Sequence, residues 1–183
     1  MTQNLKIENS CLILIDMQEK LLPAISNASA CIDNQKLLLK SIALLEMDSI
    51  VTEQYPKGLG NTTSELKCLL PNATAIIEKT TFSCMGEAKF RTALKAKSRR
   101  TLIVCGIEAH VCVQQTVLDL LAEGYEVVIP ADALSSRSDK NYRLALETMR
   151  HAGAFVTSSE AIIFMLLRDA KHPKFREISK LIK

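Results

Sequence analysis

A three-layer α/β/α domain, with a parallel sheet between two helical layers, is the fold this sequence predicts. Three observations predict it. Short β-rich runs alternate regularly with longer helical patterns along the chain. Most of the runs, LILI at 12–15 and TLIVC at 101–105 among them, are nearly continuous in apolar residues, as strands covered on both faces must be. The 183 residues suffice for one domain with a full core, and no repeat, linker or low-complexity tract divides them.

In order along the chain, strands are expected at 10–16, 48–53, 74–78, 101–106, 126–130 and 154–157. Helices are expected at 31–45, 87–97, 112–123, 139–151, 159–170 and 174–182. Gly124 and Gly153 stand where two of these helices should stop. The helix at 159–170 starts with a serine cap and has Glu160 in its first turn. Its apolar run, residues 162–167, is wider than one helical face needs, so it reads either as a buried core helix or as a subunit interface.

Composition narrows the function classes. Hydrophobic residues make up 48% and charged residues 23%, and the formal charge is only +3. That excess is too small to imply nucleic acid. The basic run at 95–100 carries no interleaved aromatics and reads as a solvated helix end. No stretch approaches the about 20 apolar residues of a membrane span. The apolar segment 11–15 is too short for a secretory leader and is broken by Asp16, so a cytoplasmic protein with reduced thiols is expected. The six cysteines form no Cys-x-x-Cys, and His110, His151 and His172 are scattered, so no metal site is expected.

In open parallel sheets, ligands bind beyond the carboxyl ends of the strands. Asp16 ends the first strand, Lys79 the third, and Cys112 follows the fourth. Read separately, Asp16 is a cap or a general base, and Lys79 is a surface lysine. Cys112 is different. At a helix start, free N–H groups and the positive dipole end would lower its thiol pKa and could hold an oxyanion. Together the three supply base, cation and nucleophile. Cys11 and Cys105 read as inert core. Cys84, five residues after Lys79, is a weaker candidate for the same pocket. His110 allows a rival Cys–His scheme, with a structural hydrogen bond as its ordinary role.

Five segments, in order, resemble the isochorismatase-like superfamily of cysteine hydrolases, which includes nicotinamidases. They are Leu14-Ile15-Asp16-Met17-Gln18, Lys79-Thr80-Thr81-Phe82-Ser83-Cys84, Gly106 through Val113, Asp132-Ala133 with Ser136-Arg137, and Gly153 through Thr157 with Ser159-Glu160. The stretches 52–60 and 106–112 are most like the isochorismatase domain-containing subgroup.

The resemblance implies a Rossmann-like, six-stranded parallel sheet in the order 3-2-1-4-5-6. It implies an Asp16–Lys79–Cys112 catalytic triad and a non-proline cis peptide at Ile107–Glu108. That bond would aim the N–H groups of Glu108 and Cys112 at a substrate carbonyl. Gln54, Phe82 and Ile107 are expected in the pocket wall. The sequence departs from metal-binding nicotinamidases, because Glu53-Gln54-Tyr55-Pro56 contains no histidine. No metal or cofactor is therefore expected, and nicotinamide is disfavoured. Ala109 stands where the family often has threonine. True isochorismatases lack the cysteine, so Cys112 favours amide hydrolysis over vinyl-ether cleavage.

The expected partner is a small-molecule substrate, with no nucleic acid, no membrane, and a homo-oligomeric state. Two other classes stand beside the enzyme. One is a catalytically silent binding or scaffold protein. The other is a thiol redox sensor pairing Cys112 with Cys84.

Overall fold

The computed structural model describes residues 5–183. Strands β1 (Ser10–Ile15), β2 (Asp48–Gln54), β3 (Ala75–Lys79), β4 (Thr101–Gly106), β5 (Glu126–Pro130) and β6 (Phe155–Thr157) form one sheet. Every pairing is parallel, in the order β3-β2-β1-β4-β5-β6. The sequence prediction of the sheet and its order is met. β1 and β4 are buried along their whole length, and this accounts for their unbroken apolar character.

Helix α1 (Ala28–Leu44) packs with α7 (Ser159–Leu167) and α8 (Phe175–Ile182). Helix α4 (Ala88–Lys97) packs on β2 and β3, and α5 (Gln114–Ala122) packs with β5 and α6 (Asp139–His151). Two short helices, α2 (Pro56–Leu59) and α3 (Ser64–Lys67), lie between β2 and β3 and lack the periodic length that would make them legible in sequence.

Two local differences concern the helices. The serine cap of α7 is Ser158, whose side chain accepts the Ala161 N–H. Ser159 instead donates its hydroxyl to Asp132 Oδ1 at 2.7 Å. In α7, Ile162, Ile163, Leu166 and Leu167 are buried in a single copy, so most of the run is core; Phe164 is exposed. Among the described residues no helix is long and apolar enough to cross a membrane.

The strand order reverses between β1 and β4, and their carboxyl ends are drawn together at one residue pair, Ile15 and Gly106. Gly106 has φ +125, and a Cβ there would collide with the Ile15 backbone. Asp16, next in the chain, is itself left-handed at φ 54, so β1 stops abruptly at the point of closest approach.

Gly106→Ala is expected to cost about 3–5 kcal/mol of stability, the range of severe backbone and packing lesions. Urea unfolding measures it, and a loss below about 1 kcal/mol would show that the approach of β1 to β4 is slack.

Candidate active site

Three strand ends meet at Asp16. Its carboxylate is fully buried and doubly held. Thr52, its neighbour on β2, donates to Oδ1 at 2.7 Å, and Lys79 Nζ donates to Oδ2 at 2.7 Å. The β1–β2 register pairs Ile15 with Thr52, and the Asp16 N–H bonds the Thr52 carbonyl at 3.1 Å.

Lys79 is the last residue of the edge strand β3, yet its side chain is wholly inside the protein. Its ammonium also meets Gln54 Oε1 at 2.6 Å and the carbonyls of Thr81 and Phe82, each at 3.2 Å. Four acceptors therefore share three protons. Burial is the largest single influence and opposes the charge on Lys79, but the Asp16 carboxylate and the Cys84 and Cys112 sulfurs together hold the lysine pKa above its ordinary value.

Gln54 and Phe82 thus support Lys79, and Phe82 does so only through its backbone, with its ring turned outward and exposed. Gln54 is itself fixed by Gln18, which accepts the Gln54 N–H at 2.7 Å and donates to its carbonyl at 2.9 Å.

Cys112 lies in a π-helical turn, Ala109–Val113, which precedes α5. The sequence expectation placed it at the first turn of an α-helix with a lowered pKa, and both points are corrected. Burial is the larger cause that pushes the Cys112 thiol up to about 12, Asp16 adds to it, and Lys79 opposes it. The thiol is thus a protonated donor beside the Asp16 carboxylate, with only 7% of the residue exposed.

The Ile107–Glu108 peptide bond is cis. The Ile107 side chain is fully buried in the core rather than lining an open wall. The N–H groups of Val111 and Val113 both bond the Glu108 carbonyl, and that of Ala109 bonds the Ser135 carbonyl. The Glu108 carboxylate holds the Arg137 N–H at 3.0 Å and faces its guanidinium at 3.5 Å. His110 Nδ1 sits 3.0 Å from Ser136 Oγ, which gives it a structural bond across the turn.

Cys84 is fully buried, and burial pushes its thiol up to about 11. It donates to Thr52 Oγ1 at 3.8 Å, while its N–H bonds Thr116 Oγ1 at 2.9 Å. All six cysteines are free thiols.

Sequence reasoning missed Thr52, Gln18 and Thr116. One signal was present: Thr52 is a polar residue inside a strand whose neighbours Ile50 and Val51 are buried.

The chemistry available here is proton transfer between a thiol and a carboxylate, with an ammonium fixing the carboxylate. The residues at the end of β2 do not suit a metal. Glu53 Oε1 accepts from both the N–H and the hydroxyl of Thr62, and among the described residues no three His, Cys, Asp or Glu side chains gather as ligands.

The sheet order and helical layers are those of the isochorismatase-like hydrolase fold. The chain belongs to the isochorismatase family, whose domain profile matches residues 10–161. Isochorismatase domain-containing protein 2 of Danio rerio is 42% identical over 180 residues, which cover 97% of this chain and 89% of that protein. Isochorismatase domain-containing protein 1 of Salmo salar is 43% identical over 168 residues, covering 92% of this chain, and the chain spans 59% of that protein's length. The solved structure of MAR1 ribonuclease from Caenorhabditis elegans superposes with a TM-score of 0.92 at 43% identity, over 97% of this chain and 91% of that one.

Two outcomes follow from the geometry. Lys79→Met leaves the Asp16 carboxylate buried and unpaired, so a loss of about 3–5 kcal/mol is expected in denaturant unfolding. Adding Asp16→Asn should recover much of it, and a loss under about 1 kcal/mol for the single variant would show that the pair is not a structural element.

The second concerns pH. Cys11, Cys31 and Cys112 titrate near 12 and Cys84 near 11 in the fold, against 9.0 for an ordinary thiol. The folded state keeps these protons after the unfolded chain has released them. Stability is therefore intact below about pH 9 and falls as pH rises from there toward 12. Unfolding free energies across pH 7–11 check it, and a flat profile above pH 9 would refute it.

Proposed function

We propose that this protein is a cysteine hydrolase that cleaves an amide-type C–N bond of a small molecule through a thioacyl intermediate. The observation that carries this reading is the buried carboxylate of Asp16, held by the Lys79 ammonium on one side and facing the Cys112 thiol on another.

As the substrate carbonyl reaches Cys112, Asp16 takes the thiol proton and the sulfur attacks the carbonyl carbon. A C–S bond forms, and the carbonyl π pair moves to oxygen, where the N–H groups of Glu108 and Cys112 hold it. The oxyanion collapses, the C–N bond breaks, and Asp16 gives its proton to the leaving amine. Water then loses a proton to Asp16 as it attacks the thioester, and acid and thiol are released.

Because the thiol rests protonated, proton transfer accompanies attack rather than preceding it. Lys79 has all three protons engaged, so its role is to keep Asp16 charged and oriented. The 7% exposure of Cys112 suits a small substrate. A homo-oligomer is part of the same reading.

The test is a panel of small amides and carbamoyl compounds, with an RNA oligonucleotide as a further arm because one relative bears the name ribonuclease. Wild type should hydrolyse at least one amide, with an acyl adduct on Cys112 visible by mass spectrometry. Cys112→Ala should fall by about 10³-fold or more. Equal rates in the two proteins, or RNA cleavage that survives Cys112→Ala with no amide turned over, would overturn the reading.

A further inference from the structure

We propose that Thr52 is a positioning residue that fixes the Asp16 carboxylate in the orientation from which it takes the Cys112 proton. The inference rests on the cysteine-hydrolase reading and adds to it a residue outside the three strand-end groups.

Thr52 is fully buried, and its hydroxyl has one proton to give. The Cys84 thiol donates to Thr52 Oγ1 at 3.8 Å, and Thr52 Oγ1 stands 2.7 Å from Asp16 Oδ1, an acceptor without a proton of its own when ionised. The protonated state of Cys84 keeps that sulfur on the donor side. The Thr52 proton is therefore directed to Oδ1. Lys79 occupies Oδ2 at 2.7 Å. With one donor on each oxygen, rotation of the carboxylate about its own axis is blocked, and the remaining lone pairs face what else lies against Asp16.

The titratable groups facing it are Lys79 from β3, Cys84 from the turn after β3, and Cys112 from the turn after β4. Thr52, from β2, is the neighbour that does not titrate. Its backbone is locked to the same residue by the 3.1 Å bond from the Asp16 N–H, so hydroxyl and carboxylate belong to one rigid unit. A neutral donor on the ionised form favours that form. Removing it should leave Asp16 less well aimed at the Cys112 proton.

The probe is iodoacetamide alkylation of Cys112, followed residue by residue by mass spectrometry across pH 4–9, which needs no knowledge of the substrate. Thr52→Val removes the hydroxyl and keeps the shape. It is expected to slow Cys112 alkylation about 10-fold near neutral pH. Thr52→Ser, which keeps the hydroxyl, should restore the rate. A threonine that only fills space would leave Thr52→Val, which keeps the shape, at the wild-type rate.

Should Thr52→Val not fold, Thr52→Ala and Thr52→Ser differ by the hydroxyl alone and carry the same comparison. Asp16→Asn separates the two levels of the argument. If it alkylates at the wild-type rate or faster, the hydrolase reading itself is overturned. If it is slow while folded Thr52→Val or Thr52→Ala follows wild type in rate, only the role of Thr52 is overturned.

Discussion

The close approach of β4 to β1 at Gly106 and Ile15 is the constraint on which the rest of the site depends. The sheet reverses its order at this pair, and loops leaving the two strands diverge to opposite layers. A side chain at 106 would hold them apart, because its first carbon would meet the Ile15 backbone. With glycine there, Asp16 and the turn bearing Cys112 start from adjacent points. The other contacts refine this juxtaposition: Thr52 and Lys79 fix the carboxylate from β2 and β3, and Gln54 and Gln18 fix the lysine and the end of β2.

Electrostatics inside the cluster are set by burial more than by secondary structure. A helix start lowers a thiol pKa when the thiol is near water and free of other charge. Cys112 has neither condition, since it lies in a π turn, almost covered, against a carboxylate. Lys79 shows the opposite balance, where Asp16 and the two neighbouring sulfurs together outweigh desolvation, the largest single influence. The resting cluster therefore holds one positive and one negative charge and a neutral thiol, an arrangement that a buried site can tolerate without a bound ion.

Much of this was legible in the sequence. Strand alternation and apolar runs define the sheet to within a residue or two at each end, and the strand ends single out Asp16, Lys79 and Cys112, which the fold brings to one edge. What was not legible depends on register and on side-chain direction. The role of Thr52 becomes visible only once β1 and β2 are paired residue by residue. The support that Gln54 and Phe82 give Lys79 was not legible, because it arises where the chain after β3 curls so that its carbonyls cover the ammonium. Ile107 turns inward for a similar reason, since the turn carrying it is packed rather than open. Short α2 and α3 have no period to read at all.

Thr116 on α5 has a consequence of a mechanical kind. Its hydroxyl donates to the Cys112 carbonyl at 2.6 Å and accepts the Cys84 N–H at 2.9 Å. The turns it joins follow β4 and β3, strands separated in the sheet by both β1 and β2. One buried hydroxyl thus acts as a tie-rod between the two turns, so a displacement of either is carried to the other. The turn that bears Cys112 and the turn that bears Cys84 form a linked pair, and each takes its stiffness from both.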